Sequence, residues 1–278
     1  MSSLNLPSYE PDRPFTVLQS ETAVNVALCG IQGGVIGFDT EFCEPEQGTG
    51  DVETEVEGEI DMWSKAKLCV VQIAIPSDVF IIPVKRIKGN HHFSSKDTGR
   101  SDVCAAFPLE LKRVVQSQEV VKAGVGFPID GKIIFDAVGV DTKNMVDVGL
   151  LTKFSNVEEY LDSDQTPLGL ERCVQDVLHS KMDKTMQKQR WDGALTDAHK
   201  KYAGLDAQAS LEVYNAVVRR ASAAAMTIPR GIPTDWYSFD CTQGRPTRRE
   251  KSYEGKDLSW SAKFCTWYQS GRFVGYNF

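Results

Sequence analysis

The chain of 278 residues lacks the features that mark secreted, membrane-spanning and zinc-binding proteins. Its start, MSSLNLPSYEPDRPF, has no basic segment followed by an apolar one, so we expect no signal peptide. No apolar run reaches the roughly 20 residues of a membrane span. The seven cysteines include no CxxC pair, which argues against a disulfide framework and for a reducing compartment. We expect an intracellular protein without membrane contact, and the nucleus and the cytoplasm are equally compatible.

The net charge of −7 is unevenly distributed along the chain. Residues 44–61 (EPEQGTGDVETEVEGEID) carry eight acidic residues and no basic one, and without them the net charge is +1. An acidic protein is a weak candidate for nucleic-acid binding. Because the acidic residues are concentrated in one segment and the rest of the chain is nearly neutral, the net charge is only a weak argument against nucleic-acid binding.

The order of the predicted strands and helices indicates a mixed α/β sheet flanked by helices. Strands are predicted for GGVIGFDTEF, KLCVVQIAI, DVFIIPV, EVVKAGVGF and KNMVDVGLL, and the short PSD turn makes the second and third a hairpin. Helices are predicted for DVCAAFPLELKRVVQS, PIDGKIIFDAVGV, LGLERCVQDVLHS and DAHKKYAGLDAQASLEVYNAVVRRASAAA. The acidic segment then becomes a loop insertion, residues 44–64, between the first two of these strands.

Three acidic residues, one on a helix and two on a strand, stand where a folded protein normally has no charge. On the last helix, Asp206 shares the buried stripe with Tyr202, although an unpaired buried carboxylate costs several kcal/mol. In GFDTEF, the strand period of two puts Asp39 and Glu41 on one face, about 7 Å apart. Oxygen ligands of this kind suit Mg²⁺ or Mn²⁺. For the strand motif alone, two exposed acids at a strand end are the simpler interpretation.

The motifs VIGFDTEF, KLCVVQIAI, VVKAGVGFPIDGKII and the run from LGLERCVQ to LDAQASLEVY follow one another in a known order. In this order and spacing, residues 15–220 resemble the DEDDy-type 3′–5′ exonuclease domain of ribonuclease D and the Werner syndrome exonuclease. The resemblance implies a ribonuclease H-like fold and two Mg²⁺ or Mn²⁺ ions per active site. It further implies release of nucleoside 5′-monophosphates from the 3′ end of single-stranded or 3′-overhanging nucleic acid, either RNA or DNA.

The same resemblance assigns the catalytic residues. Asp39 would bridge both ions, Glu41 and Asp206 would complete the ion on the nucleophile side, and Asp130 would act on the other, largely through water. Tyr202 would orient the attacking water.

Other residues are weaker candidates. Phe42 and Leu68 could stack on the terminal base, and packing in the core explains them equally well. Lys184 is a candidate phosphate ligand or a solvated lysine. Where the family often has Arg-Pro, DGALTDAH has no arginine, and Arg190 is the candidate replacement. Asp147 is more simply a helix cap or a partner of the ligands than a ligand itself.

The resemblance divides the chain into an N-terminal tail (1–14), an exonuclease domain (15–226) and a C-terminal extension (227–278). From Arg219 to Phe278 there are ten basic and five acidic residues, and the last 19 residues contain seven aromatics. Basic and aromatic residues together suit a single strand, and packing on the domain or docking of a protein partner are alternatives. Alternative functions are a catalytically silent nucleic-acid-binding or adaptor protein, and an exonuclease subunit of a larger RNA-processing or silencing complex.

Overall fold

The computed structural model describes residues 6–10, 12–43, 66–84, 107–155 and 168–223, together with two short strands at 238–240 and 245–247. The elements in chain order are β1 Phe15–Val17, α1 Glu21–Leu28, β2 Gly34–Cys43, β3 Lys67–Ala74, β4 Val79–Pro83, α2 Leu109–Gln116, β5 Val120–Gly124, α3 Phe127–Val138, β6 Met145–Asp147, α4 Val148–Ser155, α5 Leu170–Cys173, α6 Asp197–Ala223, β7 Ser238–Asp240 and β8 Arg245–Thr247. A π-helical turn, Val174–Leu178, continues α5. Among the described helices, none has the length and apolar character of a membrane span. The predicted acidic insertion and most of the C-terminal extension lie outside the described residues.

A mixed six-stranded sheet, in the order β1-β4-β3-β2-β5-β6, forms the centre of the described fold. Strands β2, β3 and β4 are antiparallel neighbours, whereas β2, β5 and β6 run parallel. The predicted β3–β4 hairpin and the mixed α/β sheet are therefore confirmed. The strands β7 and β8 form a separate antiparallel pair.

Helices cover both faces of this sheet because its central strands are apolar on both sides. One core cluster contains Phe38, Leu111 and Ile133, from β2, α2 and α3. On the other face, α6 packs against β2, and all its residues from 202 to 211 are buried. The predicted buried stripe is thus confirmed, but burial extends around the whole helix over nearly three turns.

The crossing of α6 over β2 requires a glycine. A Cβ atom at Gly37 would lie 1.9 Å from the carbonyl oxygen of Ala207, a distance that real side chains do not reach. Gly37 is two residues before Asp39 and Ala207 is next to Asp206. This close approach therefore fixes the distance between the two acidic elements.

Several boundaries differ from the sequence-based expectation. The helix α2 begins at Leu109, and Phe107 and Pro108 precede it, since Pro108 occupies the N-cap position. The strand predicted for KNMVDVGLL ends at Asp147, and the helix α4 begins with the next residue. The elements β1 and α1 were not predicted. Strand β1 has only three residues, but Ser20 caps α1 by accepting a hydrogen bond from the Ala23 N–H, which is a recognisable helix start.

The described residues 7–9 of the N-terminal tail are hydrogen-bonded to the domain. The Tyr9 N–H donates to the carbonyl of Lys181 at 2.7 Å, and the Lys181 N–H donates to the carbonyl of Pro7 at 2.8 Å. The Tyr9 hydroxyl donates to Glu212 on α6 at 2.7 Å. Residues 7–9 therefore tie the chain before Lys184 to the α6 side of the fold.

Candidate active site

Strand β2 and helix α6 bring three carboxyl groups together. One carboxylate oxygen from each of Asp39, Glu41 and Asp206 lies within 4.8 Å of the others. Asp39 and Glu41 share a face because they are two residues apart on the strand. Asp206 reaches them from α6 and is 4% exposed. The carboxylate on the buried stripe thus faces two other carboxyl groups rather than apolar side chains.

Tyr202 lies one helical turn before Asp206 and faces the same cluster. It is 5% exposed, and its hydroxyl lies close enough to the Asp206 carboxylate to be affected by its charge. Burial and the neighbouring charge of Asp206 raise the pKa of the Tyr202 hydroxyl far above its usual value. The tyrosine is therefore a neutral donor directed at the carboxyl cluster.

Asp130 comes from the first turn of α3 and lies outside the group of three. It is buried, and the Thr40 hydroxyl donates a hydrogen bond to its carboxylate. The helix start that positions it depends on Gly126, which has a φ of 79°, a left-handed conformation that glycine adopts without strain. Asp147 accepts the Gly126 N–H at 3.2 Å and also the N–H groups of Gly149 and Leu150. The prediction of Asp147 as a cap is confirmed.

Burial makes the ionised forms of these acids unfavourable in the absence of a cation. It raises the pKa of Glu41 to about 10, with the Asp39 charge as the next contribution. Burial also raises the pKa of Asp39, together with the charges of Asp130 and Asp206, and raises the pKa of Asp130 to about 7. The four carboxyl groups cannot all be ionised at neutral pH without a nearby positive charge.

Lys184 supplies one positive charge to the cluster. Its Nζ donates to both carboxylate oxygens of Asp206, at 3.0 and 2.9 Å, and to the Tyr202 hydroxyl at 3.5 Å. This ammonium group opposes the effect of burial, which raises the pKa of Asp206. The lysine side chain is only 20% exposed, so the interpretation of Lys184 as a solvated lysine is wrong.

The segment after Lys184 is anchored beside the cluster by Trp191. This residue is 3% exposed, and its ring lies 5.9 Å from that of Tyr202 and 4.9 Å from that of His199. Its backbone N–H donates to Cys43 Sγ at 3.2 Å. The run that carries Lys184 therefore follows the active-site side of β2 and α6.

The remaining candidates lie further from the three clustered carboxylates or on the other face. Leu68 is 4% exposed and packs in the core cluster of Phe38, with Phe42 partly buried against it. This placement supports the packing interpretation of Leu68, whereas Phe42 keeps part of its surface exposed. Arg190 lies in an exposed ion pair with Asp192, at 2.9 Å. Its side chain makes no described contact with the three clustered carboxylates.

Two residues near the site were not found from the sequence. Thr40 bonds Asp130, as described above. Gln72 pairs with Asp39 in the β2–β3 register and is fully buried, and in the described part of the chain neither polar atom of its amide has a hydrogen-bond partner. The sequence does indicate Gln72, since it is the one amide in the otherwise apolar strand KLCVVQIA. A buried amide normally has a hydrogen-bond partner, so its presence in such a strand suggests a specific role.

Several solved structures of low sequence identity have a similar fold. The exonuclease domain of Nibbler from Aedes aegypti is 18% identical, with a TM-score of 0.56 over 80% of this chain and 94% of that one. The catalytic core of RRP6 from Trypanosoma brucei is 16% identical, with a TM-score of 0.55 over 80% of this chain and 51% of that one. RNase D from Escherichia coli is also 16% identical, with a TM-score of 0.53 over 76% and 46%. These likenesses confirm the ribonuclease H-like fold.

A comparison with protein families gives the membership directly. No curated protein sequence matches the chain significantly. The 3′–5′ exonuclease family matches residues 15–221, a segment that contains all four acids, Tyr202 and Lys184. Because this match spans most of the chain, the protein belongs to the 3′–5′ exonuclease family and is a hydrolase of nucleic acids.

Proposed function

We propose that this protein degrades nucleic acid from the 3′ end with two divalent metal ions, Mg²⁺ or Mn²⁺, and releases nucleoside 5′-monophosphates. The observation that supports this most directly is the group formed by Asp39, Glu41 and Asp206, whose carboxylate oxygens lie within 4.8 Å of one another. Asp130 adds a fourth acid beside them.

The chemistry of these side chains fits hard cations. All four donors are carboxylates, which is the ligand type that Mg²⁺ and Mn²⁺ prefer. Burial and the neighbouring carboxylates raise the pKa values of Asp39 and Glu41, and a divalent ion would offset both effects. Asp39, Glu41 and Asp206 would hold one ion, and Asp39 with Asp130 would hold the other. Bound ions would lower the pKa of the attacking water and stabilise the charge on the leaving 3′ oxygen.

The residues of the chain then orient the reacting groups. Tyr202 would donate a hydrogen bond to a water next to Asp206, or accept one from it. This hydrogen bond would fix the direction from which the water attacks. Lys184 would leave Asp206 and contact a phosphate oxygen of the substrate. Its side chain is flexible, and its ammonium group already contacts the carboxyl cluster through Asp206. Both residues would act on the 3′-terminal nucleotide.

The substrate is proposed as single-stranded or 3′-overhanging RNA or DNA. RNase D from Escherichia coli is described as an exoribonuclease involved in structured RNA processing, and RNA is for that reason the first substrate to test. Discrimination from DNA would require contact with the 2′-hydroxyl. Matched RNA and DNA oligonucleotides of one sequence therefore form the comparison.

The decisive experiment follows 5′-labelled oligonucleotides with the wild type and Asp39→Asn. We expect a ladder that shortens from the 3′ end with Mg²⁺ or Mn²⁺, nucleoside 5′-monophosphates as product, and no shortening with EDTA or with Asp39→Asn. Asp197→Asn is the control for loss of a carboxylate outside the cluster, since Asp197 is fully exposed at the start of α6 and pairs with Lys200. The two-metal proposal is wrong if purified Asp39→Asn keeps more than a few per cent of the wild-type rate. An inactive wild type that still binds oligonucleotides would indicate a silent binding protein instead.

A further inference from the structure

Two thiols lie in contact at the end of the strand pair that carries the active-site acids. Cys43 is the last residue of β2 and Cys69 is the third residue of β3. The sulfur atoms of Cys43 and Cys69 lie 3.6 Å apart, and the Cys69 thiol also lies 3.2 Å from the carbonyl oxygen of Lys67. Cys69 is 2% exposed, whereas Cys43 is partly exposed. Cys43 is therefore the more exposed residue of the pair, and Cys69 is its buried neighbour.

An irregularity in the strand register creates this contact. Glu41 pairs with Val70, but the next residue, Phe42, pairs with Leu68, so the ladder skips Cys69. In a regular ladder Cys69 would oppose Phe42 and share its face, away from Cys43. With the bulge, Cys69 packs in the cluster of Trp191 and Tyr202, and Cys43 packs against the same cluster. The bulge thus directs both sulfur atoms to the active-site face.

We propose that Cys43 and Cys69 form an oxidative modification site that takes a hydroperoxide and becomes a reversible disulfide. The Cys43 sulfur attacks the peroxide O–O bond, which breaks to give a sulfenic acid on Cys43 and an alcohol (or water from hydrogen peroxide). The Cys69 sulfur then attacks Cys43 Sγ, the S–S bond forms and the S–O bond breaks. The proton of the Cys69 thiol leaves with the hydroxide as water. Two thiols are oxidised by two electrons in total, and the hydroperoxide is reduced by the same two.

The disulfide would change the geometry next to Glu41. Sulfur atoms 3.6 Å apart must approach to about 2.05 Å, so the two cysteine side chains must rotate or their strands must shift, within two residues of Glu41. The Trp191 N–H, which donates to Cys43 Sγ, must follow or lose its acceptor. A displacement of about 1 Å in an active site can lower the rate about 100-fold. The disulfide is therefore expected to lower exonuclease activity, a consequence that rests on the proposed metal role of Glu41.

The other described cysteines lack this arrangement and supply a control. Cys29 is an exposed thiol that donates to the carbonyl of Val26. Cys173 is buried, and burial raises the pKa of its thiol to about 12. Cys29→Ser thus removes an accessible thiol without changing the Cys43–Cys69 contact. The Cys29→Ser variant also simplifies the peptide analysis. Residues 14–64 contain no lysine or arginine, so trypsin leaves Cys29 and Cys43 on one peptide, and in the variant Cys43 is the one cysteine of that peptide.

The test treats the full chain with hydrogen peroxide and compares the wild type, Cys29→Ser, Cys43→Ser and Cys69→Ala. Peptide mass spectrometry without reductant detects the link, since cleavage after Lys65 and Lys67 separates the two cysteines. Exonuclease rate and Mn²⁺ affinity are measured before treatment, after it, and after dithiothreitol. We expect a Cys43–Cys69 peptide in the wild type and in Cys29→Ser, at least a 10-fold loss of rate, weaker Mn²⁺ binding, and recovery with dithiothreitol. Cys69→Ala should form no such peptide. Any loss of exonuclease rate in this variant should not be reversed by dithiothreitol through the Cys43–Cys69 pair.

The outcomes separate this proposal from the proposed function. Absence of the Cys43–Cys69 peptide, or a different pairing in its place, overturns the modification site whatever the activity. A quantitative disulfide with less than a twofold change in both rate and Mn²⁺ affinity overturns its effect on the active site. A reduced wild type that binds Mn²⁺ but degrades no oligonucleotide contradicts the proposed function, while the peptide and the Mn²⁺ affinity still decide this inference.

Discussion

Lys184 and Asp206 form a two-point ion pair at the centre of the active site, with Nζ 3.0 Å from Oδ1 and 2.9 Å from Oδ2. The pair occupies the carboxylate that a metal ion would share with Asp39 and Glu41. The lysine therefore satisfies a buried carboxylate, and it would compete with a bound cation for it.

Replacement of this lysine should have opposite effects on stability and on metal binding. We expect Lys184→Met to destabilise the metal-free protein by about 1–3 kcal/mol, because Asp206 loses its partner. It should strengthen Mn²⁺ binding on the order of 10-fold, because a competing positive charge is removed. Calorimetric titration with Mn²⁺ and urea unfolding in EDTA measure the two effects. Lys200→Met removes an equal charge from an exposed pair with Asp197, and weaker Mn²⁺ binding in Lys184→Met alone would contradict the competition.

The Tyr202 hydroxyl should affect the chemical step more than substrate binding. Its contacts are the Asp206 carboxylate and the Lys184 ammonium, both inside the cluster. We expect Tyr202→Phe to lower kcat by roughly 10- to 10³-fold with little change in KM, in the range of a positioned proton-handling group. Tyr9→Phe is the matched control, since the Tyr9 hydroxyl also contacts a carboxylate on α6, that of Glu212, outside the cluster. A collapse of affinity at unchanged kcat would make Tyr202 a binding residue.

Gln72 offers a test of whether a polar group is kept for activity at a cost in stability. Both atoms of its buried amide lack partners among the described residues, and an unsatisfied buried group costs about 1–3 kcal/mol. We expect Gln72→Met to stabilise the metal-free protein by about 1 kcal/mol and to lower kcat about 10-fold, since the amide opposes Asp39. Urea unfolding and single-turnover rates measure these effects.

The matched control for Gln72 is a second buried glutamine on the α6 side. The Gln208 amide nitrogen donates to Tyr9, Asp12 and Glu212, so Gln208→Met should destabilise the protein and leave kcat nearly unchanged. If Gln72→Met destabilised the protein as much as Gln208→Met, the Gln72 amide would have a structural partner.

The sequence predicts the parts of the site that depend on local periodicity. The spacing of two on a strand and of four on a helix placed Asp39 beside Glu41 and Tyr202 beside Asp206. Periodicity carries no information on Lys184, which lies in the irregular stretch before α6 and contacts Asp206, 22 residues later in the chain. It likewise misses the bulge that brings Cys69 to Cys43, because a bulge changes the pairing of two strands and leaves each strand's own pattern intact.

A buried lysine far from the acids gives a prediction on stability and pH. Lys122 on β5 is fully buried, and burial, with a smaller effect of the Lys143 charge, lowers the pKa of its ammonium group to about 7. The carbonyls of Ser117 and Val120 accept from its Nζ at 2.7 and 2.9 Å, which favours the charged form and limits the shift. Since the unfolded chain keeps its proton up to about pH 10.5, it binds more protons than the folded chain between pH 7 and 10.5.

Stability should therefore rise with pH in this window through Lys122. We compare the wild type with Lys122→Met by urea unfolding in EDTA at pH 7 and pH 9. The free energy of unfolding of the wild type, minus that of the variant, should increase on the order of 1–2 kcal/mol from pH 7 to pH 9. Lys200→Met, which removes a partly exposed lysine, should show no such increase. A difference that stays constant would mean that the two carbonyls hold Lys122 in its charged form throughout, so that the folded and unfolded chains bind this proton equally.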